Sequence, residues 1–140
     1  MTKAKEPQPT SDDTARENAR SWMEEVVRMV DALESEDDDD SAKEAREEAV
    51  TEIQESPLSV EVRSEWYTPG ESPAAPGEYC ILLTTGGPAL RLIGDLNRHG
   101  EPGSAMLQWQ NWGTPWTDFP VGREEADALI SFASQFCFGG

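Results

Sequence analysis

The sequence predicts an α+β domain in which four antiparallel strands form a meander and the helices pack on one face. Apolar residues recur at three- and four-residue steps before Pro57 and again after Gly122, whereas from Leu58 to Gln110 they alternate with polar residues. Short turns rich in glycine and proline join the alternating segments, which favours an antiparallel meander. The predicted order is therefore α-α-β-β-β-β-α within a single domain.

The first two predicted elements form an acidic helical hairpin over residues 13–56, preceded by a polar, proline-containing tail at 1–12 that we expect to be disordered. A capping box starts each helix, with Thr14 as the first N-cap and Ser41 as the second. The aspartates before Ser41 are expected to stay extended and solvated. The predicted buried positions are Ala15, Ala19, Trp22, Val26, Met29, Val30 and Leu33 in the first helix, and Ala42, Ala45, Ala49 and Ile53 in the second.

Residues 57–140 are predicted to hold the sheet and a C-terminal helix, which pack with the hairpin as one domain. The strands are expected over 58–67, 78–85, 89–97 and 105–110. Apolar residues alternate with polar ones in the first, third and fourth strands, whereas the second contains the continuous apolar run Tyr79 to Leu83 and is expected to be central. The last helix buries Ala126, Leu129, Ile130, Ala133 and Phe136, and the terminal Gly139 and Gly140 are expected to end it.

Five tryptophans mark the candidate core and a candidate interface. Trp22, Trp66 and Trp109 lie on apolar faces and are predicted to be core residues. Trp112 and Trp116 follow the last strand in a turn, so at least one of them should be partly exposed. Two interpretations stay open for this turn: a lid that closes the end of the sheet, or an anchor on an interface.

The charge of the chain restricts its partners. Lys and Arg number 11 against 28 Asp and Glu, which gives a net charge of −17. Such a chain is a poor ligand for phosphates or for an anionic membrane surface, whereas a basic protein surface is its electrostatic complement. The sequence contains no apolar run long enough to span a membrane, and no apolar segment follows the N-terminal lysines, so we expect a cytoplasmic protein.

The acidic side of the second helix is the sharpest functional signal. Glu44, Glu48 and Glu52 repeat every ~6 Å along a helix, close to the phosphate spacing of a nucleic-acid strand. With the preceding aspartate block they could occupy a basic groove made for DNA or RNA, although a solvated face that keeps the protein soluble is the simpler interpretation. The predicted partner-binding residues are Asp37, Asp38, Asp39, Asp40, Glu44, Glu47, Glu48 and Glu52, with Trp112, Trp116 or Tyr67 for apolar anchoring.

No residue pattern indicates catalysis, a metal or a cofactor. The single histidine, His99, lies in a predicted turn, and no phosphate-binding or nucleophile motif occurs. A calcium-loop register starting at Asp37 fails because Ala42 stands where the sharp turn needs glycine. Cys80 and Cys137 lack the close spacing of zinc ligands and are predicted to be small buried hydrophobic residues in a reducing compartment.

Three segments carry a resemblance: Leu58 to Gly70, Ile81 to Pro88 and Trp112 to Thr117. With them, residues 40–140 resemble small acidic proteins encoded by phages and prophages of Gram-negative bacteria. This class includes inhibitors of host defence, among them anti-CRISPR proteins, and some members look like DNA mimics. The resemblance implies a context inside the bacterial host cell, but no catalytic residue.

The leading hypothesis is a non-enzymatic binding protein of the DNA-mimic type, whose acidic helix engages a basic host protein. One alternative is a self-associating structural or assembly protein of a phage, in which the acid serves solubility and a sheet edge or the Trp112–Trp116 turn makes the contacts. A second alternative is an enzyme with an unrecognised carboxylate pair, which would require two close acids with raised pKa values in a pocket.

Overall fold

The computed structural model describes residues 11–64, 66–72, 74–85, 88–111 and 114–138, apart from the side chains of 11–13. The helices are α1 (Ser11–Leu33), α2 (Asp40–Glu55) and α3 (Arg123–Ala133), and the strands are β1 (Ser59–Ser64), β2 (Pro76–Thr84), β3 (Ala89–Asp95), β4 (Met106–Gln110) and β5 (Thr117–Asp118). The predicted tail lies mostly outside the described residues, and α1 begins earlier than expected, at Ser11.

The five strands form one sheet in the order β1-β2-β3-β4-β5, with every neighbouring pair antiparallel. The α+β class and the meander are therefore confirmed, but the predicted number of four strands is wrong. The missed strand β5 has only two residues, which pair with Gln108 and Trp109 of β4. Two residues are too short for an alternating pattern to become visible in the sequence.

The core lies between one face of the sheet and the helices. Leu90 and Leu92 of β3 and Leu107 of β4 are fully or almost fully buried on this face. Helices α1 and α3 pack on β4, and α2 packs on α1. The apolar stripe predicted for α1 is largely buried, with Trp22 and Leu33 packing at its margin. The core also includes Met23, which lies just beside this stripe.

The C-terminal helix ends earlier than predicted, at Ala133, with Ser134 as its C-cap. The Ser134 hydroxyl donates to the Ile130 carbonyl at 2.7 Å, and the chain then leaves the helix so that Phe138 packs on Tyr79, with ring centroids 4.9 Å apart. Burial of Phe138 against Tyr79 favours this early end, because removing a large aromatic ring from water is stabilising. The predicted stop at Gly139 and Gly140 lies outside the described residues.

A close backbone approach holds the middle of the sheet. The Tyr79 hydroxyl of β2 donates to the Ser104 carbonyl at 2.6 Å, and Gly94 of β3 lies directly opposite Tyr79. A Cβ atom at Gly94 would lie 2.0 Å from the Ser104 oxygen, so this position requires glycine. The loop between β3 and β4 is thereby locked onto the edge of the core.

Candidate functional site: the acidic surface of α2

Helix α2 begins inside the aspartate block. Asp39 is its N-cap, and the Asp39 carboxylate accepts a hydrogen bond from the Ala42 backbone N–H at 2.7 Å. Asp40 is already the first helical residue, so the predicted cap at Ser41 is wrong. The block supplies both the cap and the acid that favours the positive end of the helix dipole, which explains why the helix starts two residues earlier. Asp37 and Asp38 precede the helix and are exposed, as expected.

The orientation of α2 follows from two buried residues. Ala49 and Ile53 pack into the core, whereas Ala42 is half-buried and Ala45 is exposed, contrary to prediction. Exposed carboxylates occupy the solvent-facing part of α2 and the segment just before it. We call this set the acidic α2 surface, and it consists of Asp37, Asp38, Asp39, Asp40, Glu44, Glu47, Glu48 and Glu52.

Little of this negative charge is neutralised by ion pairs. Arg28 of α1 bonds Glu52 at 2.5 Å and Glu25 at 2.6 Å, and these contacts raise the pKa of the Arg28 guanidinium. Among the described residues, Glu52 is the member of the acidic α2 surface that forms an ion pair. The guanidinium of Arg46 donates instead to the carbonyl oxygens of Ser35 and Asp37, at 2.8 and 2.7 Å. Arg46 therefore holds the linker against α2 and places a positive charge beside the aspartate block.

A second acidic region, which the sequence analysis missed, lies between α1 and α3. The groove there has a volume of about 590 Å³. Its acidic lining residues are Glu24, Asp31, Glu34, Glu124, Glu125 and Asp127. Arg20 approaches Glu125 at 3.8 Å, and the Ser131 hydroxyl donates to Glu34 at 2.7 Å. Glu34 is the first residue after α1, in the linker that leads to α2. The available signal was the helical spacing of acids on the polar sides of α1 and α3, which only tertiary packing brings together.

Trp116 does not join the acidic α2 surface. The Arg91 guanidinium lies 4.1 Å from the centre of the Trp116 ring and donates through Nε to Gln108 at 2.8 Å. Arg91 and Gln108 point away from the buried face of the sheet, so the sheet separates this half-buried tryptophan from the helices. The predicted anchor Trp116 therefore lies across the sheet from the acidic α2 surface, and its role in partner binding stays a prediction, while Trp112 lies outside the described residues.

Trp66 was predicted to be a core residue, and this prediction is wrong. The indole of Trp66 is fully exposed, and the neighbouring Tyr67 is 50% exposed. Strand β1 ends at Ser64 after a register shift between Arg63 and Ser64, so the alternation that should have placed Trp66 inside no longer applies. The exposure of Tyr67 agrees with its suggested role as an anchor, although it follows β1 and not α2.

The outer face of the sheet contains a cavity of about 660 Å³ lined in part by Cys80, Arg91 and Met106. Burial raises the pKa of the Cys80 thiol, and the nearby Arg91 opposes this only partly, so the thiol is neutral at ordinary pH. Cys80 is half-buried as a small apolar residue, whereas Cys137 is exposed, contrary to prediction, because α3 ends before it. Both thiols are free.

Comparisons with known proteins provide no further constraint: no family model, no curated protein and no solved structure matches this chain. Within the described part of the chain, no helix has both the length and the apolar character that a bilayer crossing requires.

Proposed function

We propose that this chain is a non-enzymatic binding protein whose acidic α2 surface occupies a basic, nucleic-acid-binding surface on another protein. The observation that carries the proposal is the exposure of Asp37 to Asp40, Glu44, Glu47 and Glu48 without an ion pair among the described residues. The resemblance to small acidic phage proteins favours a partner from a Gram-negative host cell, of the kind that binds DNA or RNA.

The geometry supports mimicry of a phosphate backbone more than a simple solubilising charge. Helix α2 fixes Glu44 and Glu48 one turn apart, so their carboxylates repeat at ~6 Å on a rigid element. Like charges at this spacing cost helix stability by a few tenths of a kcal/mol per pair. The Asp39 cap and the contact of Arg28 with Glu52 offset that cost, and both leave most carboxylates facing solvent.

The electrostatics define how such a complex behaves. A field from many exposed carboxylates raises the association rate with a basic partner and is screened within about 8 Å at physiological ionic strength. Binding is therefore expected to weaken steeply as salt is added, mainly through slower association. The acidic groove between α1 and α3 adds further negative charge to the helical half of the chain.

The test uses two variants with the same change in net charge. In the first, Glu44→Lys and Glu48→Lys reverse two carboxylates of the acidic α2 surface. In the matched control, Glu71→Lys and Glu101→Lys reverse two exposed carboxylates in loops of the sheet half. Each tagged protein is incubated with a Gram-negative lysate at low salt, and the captured proteins are quantified by mass spectrometry. We expect the first variant to lose the captured partner and the control to keep it.

The captured protein must then compete with nucleic acid. Double-stranded DNA or RNA added to the purified complex is expected to release the acidic chain, and the complex is expected to dissociate between low and moderate salt. Equal loss of the partner in both variants would show a response to overall charge and not to this surface. An affinity that neither salt nor nucleic acid changes would contradict the proposal.

A further inference from the structure

Strand β1 leaves the sheet with one uncovered edge. It is the first strand in the sheet order and pairs only with β2 within the described residues, so its other side presents free backbone N–H and C=O groups. At the opposite edge, β5 has only two residues and offers almost no such surface. An edge of six residues is long enough to pair with another strand.

The side chains of β1 form two different rows. Val60 and Val62 lie opposite Ile81 and Tyr79 of β2, so they point to the core side of the sheet. They nevertheless remain 39% and 43% exposed, because the helices pack on β4, which is separated from β1 by two other strands. Leu58, two residues earlier, is 60% exposed. The edge therefore carries an apolar row that the described chain covers only in part.

The second row carries opposite charges. Glu61 and Arg63 point to the outer face, opposite Cys80 and Glu78 of β2. The Arg63 guanidinium forms an ion pair with Glu78 and lowers the pKa of that carboxyl, yet its side chain remains 78% exposed. The Arg63 guanidinium has more donors than this one contact uses, so it can donate to a second acidic partner.

We propose that β1 pairs with β1 of a second copy, antiparallel and about a two-fold axis at Val62. In this register Val62 faces its own copy, and Glu61 of each chain faces Arg63 of the other. A two-fold interface repeats every contact, so both charge pairs are attractive and the two sheets join into one. The dimer covers the apolar row and the open backbone edge of each chain in a single step.

Other registers of the β1–β1 pair are less favourable than the one with its axis at Val62. An axis at Glu61 or at Arg63 places like charges directly opposite each other, which destabilises a strand pair. An axis at Val60 leaves Arg63 facing Pro57, which lies before the strand and cannot donate a backbone hydrogen bond. The alternation of Glu61, Val62 and Arg63 thus complements itself, and this is why a second copy is the partner that the edge fits.

The overall charge of −17 opposes this association at long range, because two equally acidic chains repel each other. Added salt screens that repulsion, whereas backbone hydrogen bonds and apolar contacts are little affected. The dimer is therefore favoured at moderate salt, where binding through the acidic α2 surface weakens. Added salt thus strengthens the dimer and weakens the complex with a basic partner, so the two can be tested independently.

The first test measures molar mass by light scattering and sedimentation over a concentration series in moderate salt. Val62→Asp places two carboxylates at the axis and is expected to weaken dimerisation at least about tenfold. Met106→Asp is the matched control, because Met106 is 42% exposed on a strand inside the sheet, and it is expected to leave the dimer intact. Circular dichroism verifies that both variants fold. A wild-type chain that stays monomeric, or a dimer that Val62→Asp leaves unchanged, would overturn the proposal.

The second test addresses the register. The Glu61→Arg chain and the Arg63→Glu chain each place like charges opposite each other in their own homodimers, so each is expected to be mainly monomeric. Mixed together, they restore two attractive pairs and are expected to form a heterodimer at least about tenfold more stable than either homodimer. Equal stability of all three species would contradict the axis at Val62.

Discussion

Strands β1 and β4 direct apolar side chains to the same side of the sheet, but only one of them is covered. In β4, Leu107 and Trp109 are 0% and 6% exposed beneath α1 and α3. In β1, Val60 and Val62 remain 39% and 43% exposed at the edge. The difference shows that alternation in a strand determines which side a residue faces, whereas the position of the helices determines whether that side is buried.

The largest expected effect contrasts these two strands directly. Leu107→Ala removes a fully buried side chain, and we expect it to lower the free energy of unfolding by about 2–5 kcal/mol. Val62→Ala, measured at concentrations where the chain is monomeric, is expected to change it by no more than about 0.5 kcal/mol. Urea unfolding followed by tryptophan fluorescence measures both. A similar cost for the two variants would mean that β1 is covered as well as β4.

The next effect concerns the middle of the sheet, between the covered and the uncovered strand. Gly94→Ala introduces a methyl group against the Ser104 carbonyl and is expected to cost about 1–3 kcal/mol through a backbone shift. Gly103→Ala is the matched control in the same region, since its added Cβ would lie 3.8 Å from the nearest atom. The prediction fails if thermal unfolding shows equal losses at the two glycines.

Alkaline pH is expected to act on the same contact. Burial raises the pKa of the Tyr79 hydroxyl, with a smaller contribution from Asp95. Because the folded state holds this proton more tightly than the unfolded state, the stabilisation is complete below the ordinary tyrosine pKa of about 10 and is lost as pH rises above it. Unfolding by urea between pH 8 and 11 should show this decline. Tyr79→Phe, although less stable at neutral pH, should show a shallower one.

The smallest of these effects tests how α2 begins. Asp39→Ala removes the N-cap hydrogen bond to Ala42 and is expected to cost about 1 kcal/mol. Ser41→Ala is expected to cost less, because Ser41 lies inside the helix and not at its cap. Chemical denaturation followed by helical circular dichroism compares them. If Ser41→Ala cost more than Asp39→Ala, Ser41 and not Asp39 would be the N-cap, and α2 would begin after the aspartate block.

Much of the fold was predictable because local periodicity records the environment of long elements. The stripe of α1 and the alternation in β3 and β4 identified most of the core. The missed strand β5 was too short to produce a pattern, and Trp66 was misplaced because a register shift at the end of β1 interrupts the alternation. The acidic residues of α2 were predicted to be exposed because a helix with apolar residues on one side must present the other to solvent.

What the sequence alone determined is the class of the fold, the order of its long elements and the concentration of negative charge on the helical half. These properties depend on residues close together in the chain, through spacing, capping and composition. Only the tertiary structure decided that the sheet separates Trp116 from the acidic α2 surface, that acids of α1 and α3 meet in one groove, and that β1 has an uncovered edge. Each of these depends on which distant segments pack together, because contacts across the sheet and between helices leave no periodic trace in the sequence.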